Sequence, residues 1–240
     1  MARLGPVGII RSIQTKPRVE KPPAPFDTTS FISAASGIGF SAANAMRIAE
    51  WLYVNGFISY PRTDNTVYPP SIDLVALTRL FLKGEFSKEA EKLLGGKMVP
   101  TRGKRSTTDH PPIYPTAPVN KSELKEEQWK IYELVVRRFF ATLAESCVWD
   151  ATSLKVDIGP EPFRANGARP VEPGWRYYYP YSKAEERILP ALKEGERLRV
   201  LGHSVEAKET QPPARYGQGK LIKLMDELGL GTKSTRHDII

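Results

Sequence analysis

Cysteine is almost missing from this chain: Cys147 is the only one in 240 residues. A disulfide framework and a four-cysteine zinc ribbon are therefore excluded. Cys147 follows an apolar stretch that reads as a helix end, so a reduced, buried thiol is expected there. No apolar run is long enough to span a bilayer, and the N-terminus lacks the hydrophobic region of a signal peptide, so a soluble intracellular protein without a membrane partner is expected. A Gly-Lys-Ser/Thr loop is also lacking, and no ATP site is predicted.

Basic residues and proline are plentiful. The net charge is +8 with a pI near 9.5, a balance that favours a polyanionic partner. The 21 prolines fall in clusters that punctuate the chain. Val7–Gln14 is rich in β-branched residues and reads as a strand, followed by an extended connector over Lys16–Ala24. The period then becomes helical. Asp27 or Thr28 can cap a helix to about Ala35, Ser41 caps a second that closes at Asn55-Gly56, and Ser71 caps a third. Ser87–Leu94 is a short helix and Ser122–Ala144 the longest. The apolar stripe of the longest helix carries Trp129, Tyr132, Val136, Phe139, Phe140 and Leu143, while Lys121, Lys125, Lys130, Arg137 and Arg138 are expected on its exposed side.

From Thr152 to Ile158 apolar and polar residues alternate, the period of a half-buried strand. Phe163–Ala165, Trp175–Tyr179, Arg197–Leu201 and Val205–Lys208 are further strand candidates. A last helix is marked by Leu221, Leu224, Met225 and Leu228, and Ser234-Thr235 resembles the cap of another, close to the end at Ile240. Strands, then helices, then strands predict an α+β multidomain chain, with a helical domain over residues 25–149 inserted into a β-rich domain made of 1–24 and 150–211. Residues 212–240 read as the start of a further helical domain, and a helix that stops just after its cap predicts a fragment.

The chemistry concentrates in Phe57–Pro70, FISYPRTDNTVYPP. Tyr60, Arg62 and Asp64 stand at alternate positions, and in an extended segment a period of two puts them on one side. A phenol is a usable nucleophile for phosphorus, and a guanidinium is a planar fork of donors suited to phosphate oxygens. Pro61 lacks an N–H and so keeps the segment out of a sheet interior. His110, in the proline-flanked DHPPIYPT, is a candidate phosphate donor on a rigid loop. The loop Thr101–Thr108, TRGKRSTT, offers Lys104 and Arg105 as phosphate contacts, though residue by residue a solvated loop is the slightly better explanation.

Gly56–Thr66, GFISYPRTDNT, closely resembles the active-site segment of type IA DNA topoisomerases, in the form found in their archaeal and eukaryotic branch. Three further blocks fall in that family's order: PFDTTSFISAAS from Pro25, DHPPIYPT from Asp109, and PPARYGQGKLIKLMDELGLGTKST from Pro212. The resemblance covers nearly the whole chain. It implies an arch whose helical tip carries the tyrosine, and it implies Tyr60 as nucleophile with Arg62 and His110 on the scissile phosphate. Asp64 is then a candidate for orienting His110. Arg215 matches a DNA-contacting arginine, and Lys233, Ser234 and Arg236 match a phosphate-contacting turn. Gln218 departs from the glutamate common in relatives and receives no role.

The implied reaction relaxes negatively supercoiled DNA through a 5′-phosphotyrosyl intermediate, strand passage and religation, without ATP. Mg²⁺ is implied through carboxylates of an N-terminal Toprim domain. No Asp-x-Asp occurs in this sequence to supply them, so no metal site is assigned to this chain. Expected partners are single-stranded or negatively supercoiled DNA and the Toprim domain of the same enzyme, in a monomer located with the nucleoid in the cytoplasm. Without that domain the chain is expected to be inactive in cleavage. A single-stranded nucleic-acid-binding module without chemistry is the competing reading. A tyrosine recombinase or nickase would need other histidine and arginine constellations.

Overall fold

Backbone pairing and apolar packing separate the chain into two compact units, a β unit and a largely helical one. The structure, a computed structural model, describes residues 5–182 and 185–240. The class is α+β, with one antiparallel four-stranded sheet.

The β unit comprises Met1–Glu20, Cys147–Pro173 and Lys183–Ala214. Its strands are β1 (Val7–Glu20), β2 (Cys147–Ile158), β3 (Glu161–Glu172) and β4 (Arg197–Arg199), in the order β3-β2-β1-β4. β1 pairs with β2 along its length, from Gly8 opposite Ile158 to Glu20 opposite Cys147. β4 covers β1 only at Val7–Ile9. The Lys-Pro stretch expected as a connector is thus largely strand, because beyond Ile10 the backbone of β1 is paired only with β2, a setting in which sheets tolerate a proline such as Pro17. Ile10, Leu154 and Val156 form the buried apolar cluster, with Ile13, Ala165, Leu189 and Leu198 packed on it. Cys147 is buried as expected, but it opens β2 instead of closing a helix. Val205–Lys208 is exposed and irregular, since its alternation meets no partner strand.

The helical unit comprises Lys21–Ser146, Gly174–Ser182 and Arg215–Ile240. It holds α1 (Thr28–Gly37), α2 (Ala42–Val54), α3 (Leu74–Arg79), α4 (Ser87–Gly95), α5 (Glu126–Leu143), α6 (Gln218–Glu227) and α7 (Arg236–Ile239). Asp27 caps α1 and Ser41 caps α2, each accepting a backbone N–H of the first turn. Asp73, not Ser71, caps α3 by accepting from Val75 and Ala76. Burying the face of α2 with Ala42, Ala45 and Ala49 lets it lie close to its neighbours. α5 buries Trp129, Tyr132, Phe139 and Phe140, and Phe81 and Phe86 pack their rings against Phe140 edge-on at 5.6 and 6.3 Å.

Two expectations for this unit fail. Trp175–Tyr179 is not a strand: Gly174–Tyr177 forms a 3-10 turn, and Tyr178 stacks edge-on against Phe140 at 6.3 Å. Arg137 and Arg138 are not on a free basic face. Arg137 pairs with Glu133 and Glu89, while Arg138 donates to the Ala24 carbonyl and lies between the rings of Phe26 and Tyr179. Their long stems and planar heads serve packing as much as charge.

Gly174 makes the 3-10 turn possible. Its φ is +49, and a Cβ there would lie 2.3 Å from the Ser146 carbonyl oxygen. Gly174→Ala is expected to lower stability by about 2 kcal/mol or more, since it combines strain with a backbone clash. Thermal unfolding would check this against Gly202→Ala, where a Cβ meets open space. Equal melting temperatures for the two variants would contradict it.

Candidate active site around Tyr60

The segment after α2 is extended, and its burial alternates residue by residue. Ser59, Pro61, Thr63 and Asn65 are buried, whereas Tyr60, Arg62 and Asp64 are only half-buried. The period of two is therefore real, although the segment is not a sheet strand. Only an isolated bridge joins Ile58 to Pro115.

The inward side chains are polar, and backbone groups satisfy them. Thr28 Oγ1, at the start of α1, lies 2.8 Å from the Pro61 carbonyl and accepts from Thr63 N at 2.8 Å. Thr63 Oγ1 donates to the His110 carbonyl, and Asn65 Nδ2 donates to the carbonyls of Thr107 and His110. Ser59 Oγ donates to the Pro112 carbonyl and accepts from Tyr114 N. The same side chains that face inward thus fasten the His110 loop to the Tyr60 segment. Buried hydrogen bonds of this kind are costly to break singly, because the partner is left unsatisfied.

The outward side presents the chemistry. The rings of Tyr60 and His110 have centroids 4.6 Å apart, and Tyr53 packs edge-on against Tyr60 at 5.2 Å. His110 is exposed. Among the described residues no hydrogen bond holds the Tyr60 hydroxyl. Arg62 donates Nε and Nη2 to Glu50 of α2, and Nη1 to the Ser234 carbonyl at 2.6 Å. Three of its five N–H donors are thereby used, which leaves two for an incoming oxyanion.

Asp64 does not orient His110. Its carboxylate sits 3.9 Å from both Arg105 and Lys233, and two cations draw it away from the imidazole. Lys233 pairs at 2.5 Å with Asp109, the residue preceding His110. That bond, with help from Thr107 and the His110 backbone, holds the Asp109 carboxyl well below the usual carboxylate range. Arg105 bridges Asp226 of α6 and Asp27 at the head of α1, and Asp226 raises its pKa. Arg236 is buried, pairs with Asp226 and donates to the carbonyls of Leu230 and Gly231. It closes the end of α6. Lys104, Arg215 and Ser234 are exposed, and Lys104 and Arg215 have no ion-pair partner among the described residues. Gln218 accepts from Ala42 N at 3.0 Å and so caps α2.

Of the sequence-derived residues, Tyr60 and His110 come together in ring contact. Arg62 shares the outward phase but is held by Glu50. Sequence reasoning missed Glu50, Thr28 and Asp109. Glu50 is the sole acid on α2, and Asp109 directly precedes the histidine, but no spacing rule links either to its cation. No group of three or more His, Cys, Asp or Glu side chains among the described residues is placed to hold a metal ion.

A DNA topoisomerase family profile matches residues 3–240. This chain belongs to the type IA DNA topoisomerase family. DNA topoisomerase 1 of Archaeoglobus fulgidus is 51% identical across all of this chain, which covers 36% of that protein. DNA topoisomerase 1 of Thermoplasma acidophilum is 41% identical over 98% of this chain and 30% of its own length. The full-length topoisomerase I of Thermotoga maritima superimposes with a TM-score of 0.76 at 25% identity, over 97% of this chain and 39% of that one. The chain therefore spans about a third of the length of the curated relatives it matches. No helix among the described residues is long and apolar enough to cross a membrane.

Two variants test the geometry of this candidate site. Thr28→Val keeps the shape of the side chain and removes its hydroxyl, and it is expected to destabilise the fold by about 1–3 kcal/mol, read from denaturant unfolding. A change within error would mean that the bonds to Pro61 and Thr63 are immaterial. Lys233→Met is expected to raise the Asp109 carboxyl toward the ordinary value of about 3.9. A carbon-detected NMR titration reads that shift, and an unmoved midpoint would contradict the Lys233 pairing. Because the folded-state value is depressed, this ion pair favours the fold above the ordinary carboxylate pKa. Its contribution is lost as pH falls through the depressed value.

Proposed function

We propose that this chain is the tyrosine-bearing part of an ATP-independent type IA topoisomerase that relaxes negatively supercoiled DNA. The observation that carries this reading is the Tyr60 phenol, without a hydrogen bond among the described residues and with its ring centroid 4.6 Å from that of the exposed His110. In the cleavage step Tyr60 Oη bonds to phosphorus as the P–O3′ bond breaks. The phenolic proton is lost and the departing 3′-oxygen gains one. A 5′-phosphotyrosyl ester and a free 3′-hydroxyl result, and nothing is oxidised or reduced. The ester keeps the phosphodiester energy, so religation is the reverse reaction.

A phenol with the usual pKa of about 10 needs help at neutral pH. The two free donors of Arg62 can stabilise charge on the phosphate, and His110 can donate to a second oxygen. Mg²⁺ belongs to the family's chemistry through a Toprim domain. Among the described residues no group of carboxylates fits a metal, and Asp64 and Asp109 already face cations, Lys233 beside both and Arg105 beside Asp64.

Residues 1–24 and 150–211 are assigned to the arch, 25–149 to the tyrosine-bearing helical domain and 212–240 to the start of the part that grips single-stranded DNA. The exposed Lys104, Arg215 and Ser234 suit phosphate contact. Arg105 and Arg236 are better explained as structural cations, and Lys233 as a clamp between loops. A DNA substrate implies a cytoplasmic, nucleoid-associated enzyme, and one tyrosine per strand cut is compatible with a monomer.

The test is a chimera in which this chain replaces the matching region of the Archaeoglobus fulgidus enzyme. With labelled oligonucleotide and Mg²⁺, label is expected to remain on the protein through a denaturing gel. Tyr60→Phe should abolish it, and Arg62→Ala should lower it by about a hundredfold, as for loss of one oxyanion donor. Label on the Tyr60→Phe protein would refute the nucleophile. For the chain alone, single-strand binding should weaken with salt, with a log–log slope of about −0.7 per neutralised phosphate. Lys104→Ala and Arg215→Ala should each flatten that slope. An unchanged slope in both would remove them from the DNA interface.

A further inference from the structure

Tyr53 lies on the last turn of α2 and is 42% exposed, so core packing does not account for it. Among the described residues its one aromatic contact is with Tyr60, edge-on at 5.2 Å and 67°. His110 contacts the Tyr60 ring as well, at 4.6 Å and a tilt of 53°. The Tyr60 ring therefore has two aromatic neighbours, one from a helix and one from a proline-flanked loop, while no hydrogen bond among the described residues fixes its hydroxyl. A phenol that attacks phosphorus must point along the line of the breaking bond, and orientation of this kind contributes strongly to rate. Edge-to-face ring contacts are directional and can set it.

Tyr53 is itself well anchored. Ala45, Met46, Ala49 and Leu52 of α2 are buried, Gln218 caps the start of the helix, and the Tyr53 carbonyl accepts from Gly56 N at 2.9 Å. Gly56 adopts a φ of +79, a conformation suited to glycine, and this turns the chain from α2 into the Tyr60 segment. The turn brings the Tyr53 ring back over a residue seven positions later.

We infer that Tyr53 is a positioning residue that, with His110, fixes the direction of the Tyr60 phenol. The inference rests on the proposed role of Tyr60. It requires the ring of Tyr53 and not its hydroxyl, so Tyr53→Phe should retain the function that Tyr53→Ala and Tyr53→Leu lose.

The test has two arms. In the 240-residue chain, 3-fluorotyrosine is placed at position 60 and its fluorine resonance recorded. The resonance should move toward that of free fluorotyrosine in Tyr53→Ala and Tyr53→Leu and stay in place in Tyr53→Phe, with circular dichroism confirming that each variant is folded. In the chimera, adduct formation should fall about tenfold with Tyr53→Ala, as expected for a misdirected nucleophile, and remain close to wild type with Tyr53→Phe. A fluorine resonance unmoved by Tyr53→Ala overturns the inference. So does a moved resonance with undiminished adduct, or a Tyr53→Phe variant as poor as Tyr53→Ala. Failure of the unsubstituted chimera to form adduct would instead sink the reading of Tyr60 and take this inference with it.

Discussion

The outward tyrosine depends on the side chains that face the other way. Ser59, Thr63 and Asn65 are short and polar, and each finds a backbone carbonyl in the segment from Thr107 to Pro112. Thr28 fastens the Tyr60 segment itself from the head of α1, at the Pro61 carbonyl and the Thr63 amide. A hydrophobic set at these positions would also bury, but it would leave the carbonyls of an irregular loop without donors. Polar residues solve both problems at once: the loop is satisfied, and His110 is fastened next to Tyr60. The proximity of the two rings follows from this buried network and needs no attraction between them.

Around that network runs a set of charge contacts. Lys233 joins the two loops through Asp64 and Asp109, Arg105 joins α1 to α6 through Asp27 and Asp226, and Arg62 reaches from Glu50 to the Ser234 carbonyl. These pairs lie largely at the surface, where screening weakens each one. Together they tie the segment from Arg215 to Ile240 onto the tyrosine segment. They also show why net charge alone is a poor map of a nucleic-acid surface. Arg105, Lys233 and Arg236, all candidate phosphate contacts by sequence, pair with carboxylates, whereas Lys104 and Arg215 are left in solvent.

What could be read beforehand follows physical range. Local signals were legible: the caps at Asp27 and Ser41, the alternation through Tyr60 and the aromatic stripe of α5 are all written within a few residues. The pairing of Tyr60 with His110 spans fifty positions and came only from the resemblance among four sequence blocks. Interactions that depend on tertiary placement were not legible. Glu50 gives no sign of meeting Arg62, and Arg138 on a helix looks like any exposed arginine until Phe26 and Tyr179 close over it. Trp175–Tyr179 reads as a strand by composition, but a left-handed glycine and the end of α5 decide otherwise. The resemblance offers Asp64 as a partner of His110, whereas in the fold its carboxylate faces Arg105 and Lys233.

A buried polar network holds the Tyr60 segment rigidly from behind. Native-state hydrogen exchange measures this most directly. The amides of Ser59, Thr63 and Asn65 donate to Tyr114 O, Thr28 Oγ1 and Thr63 Oγ1, all in buried or partly buried settings. They should exchange about as slowly as the core amides of α5. Exchange as fast as in the exposed stretch from 203 to 212 would show a mobile segment and contradict the account.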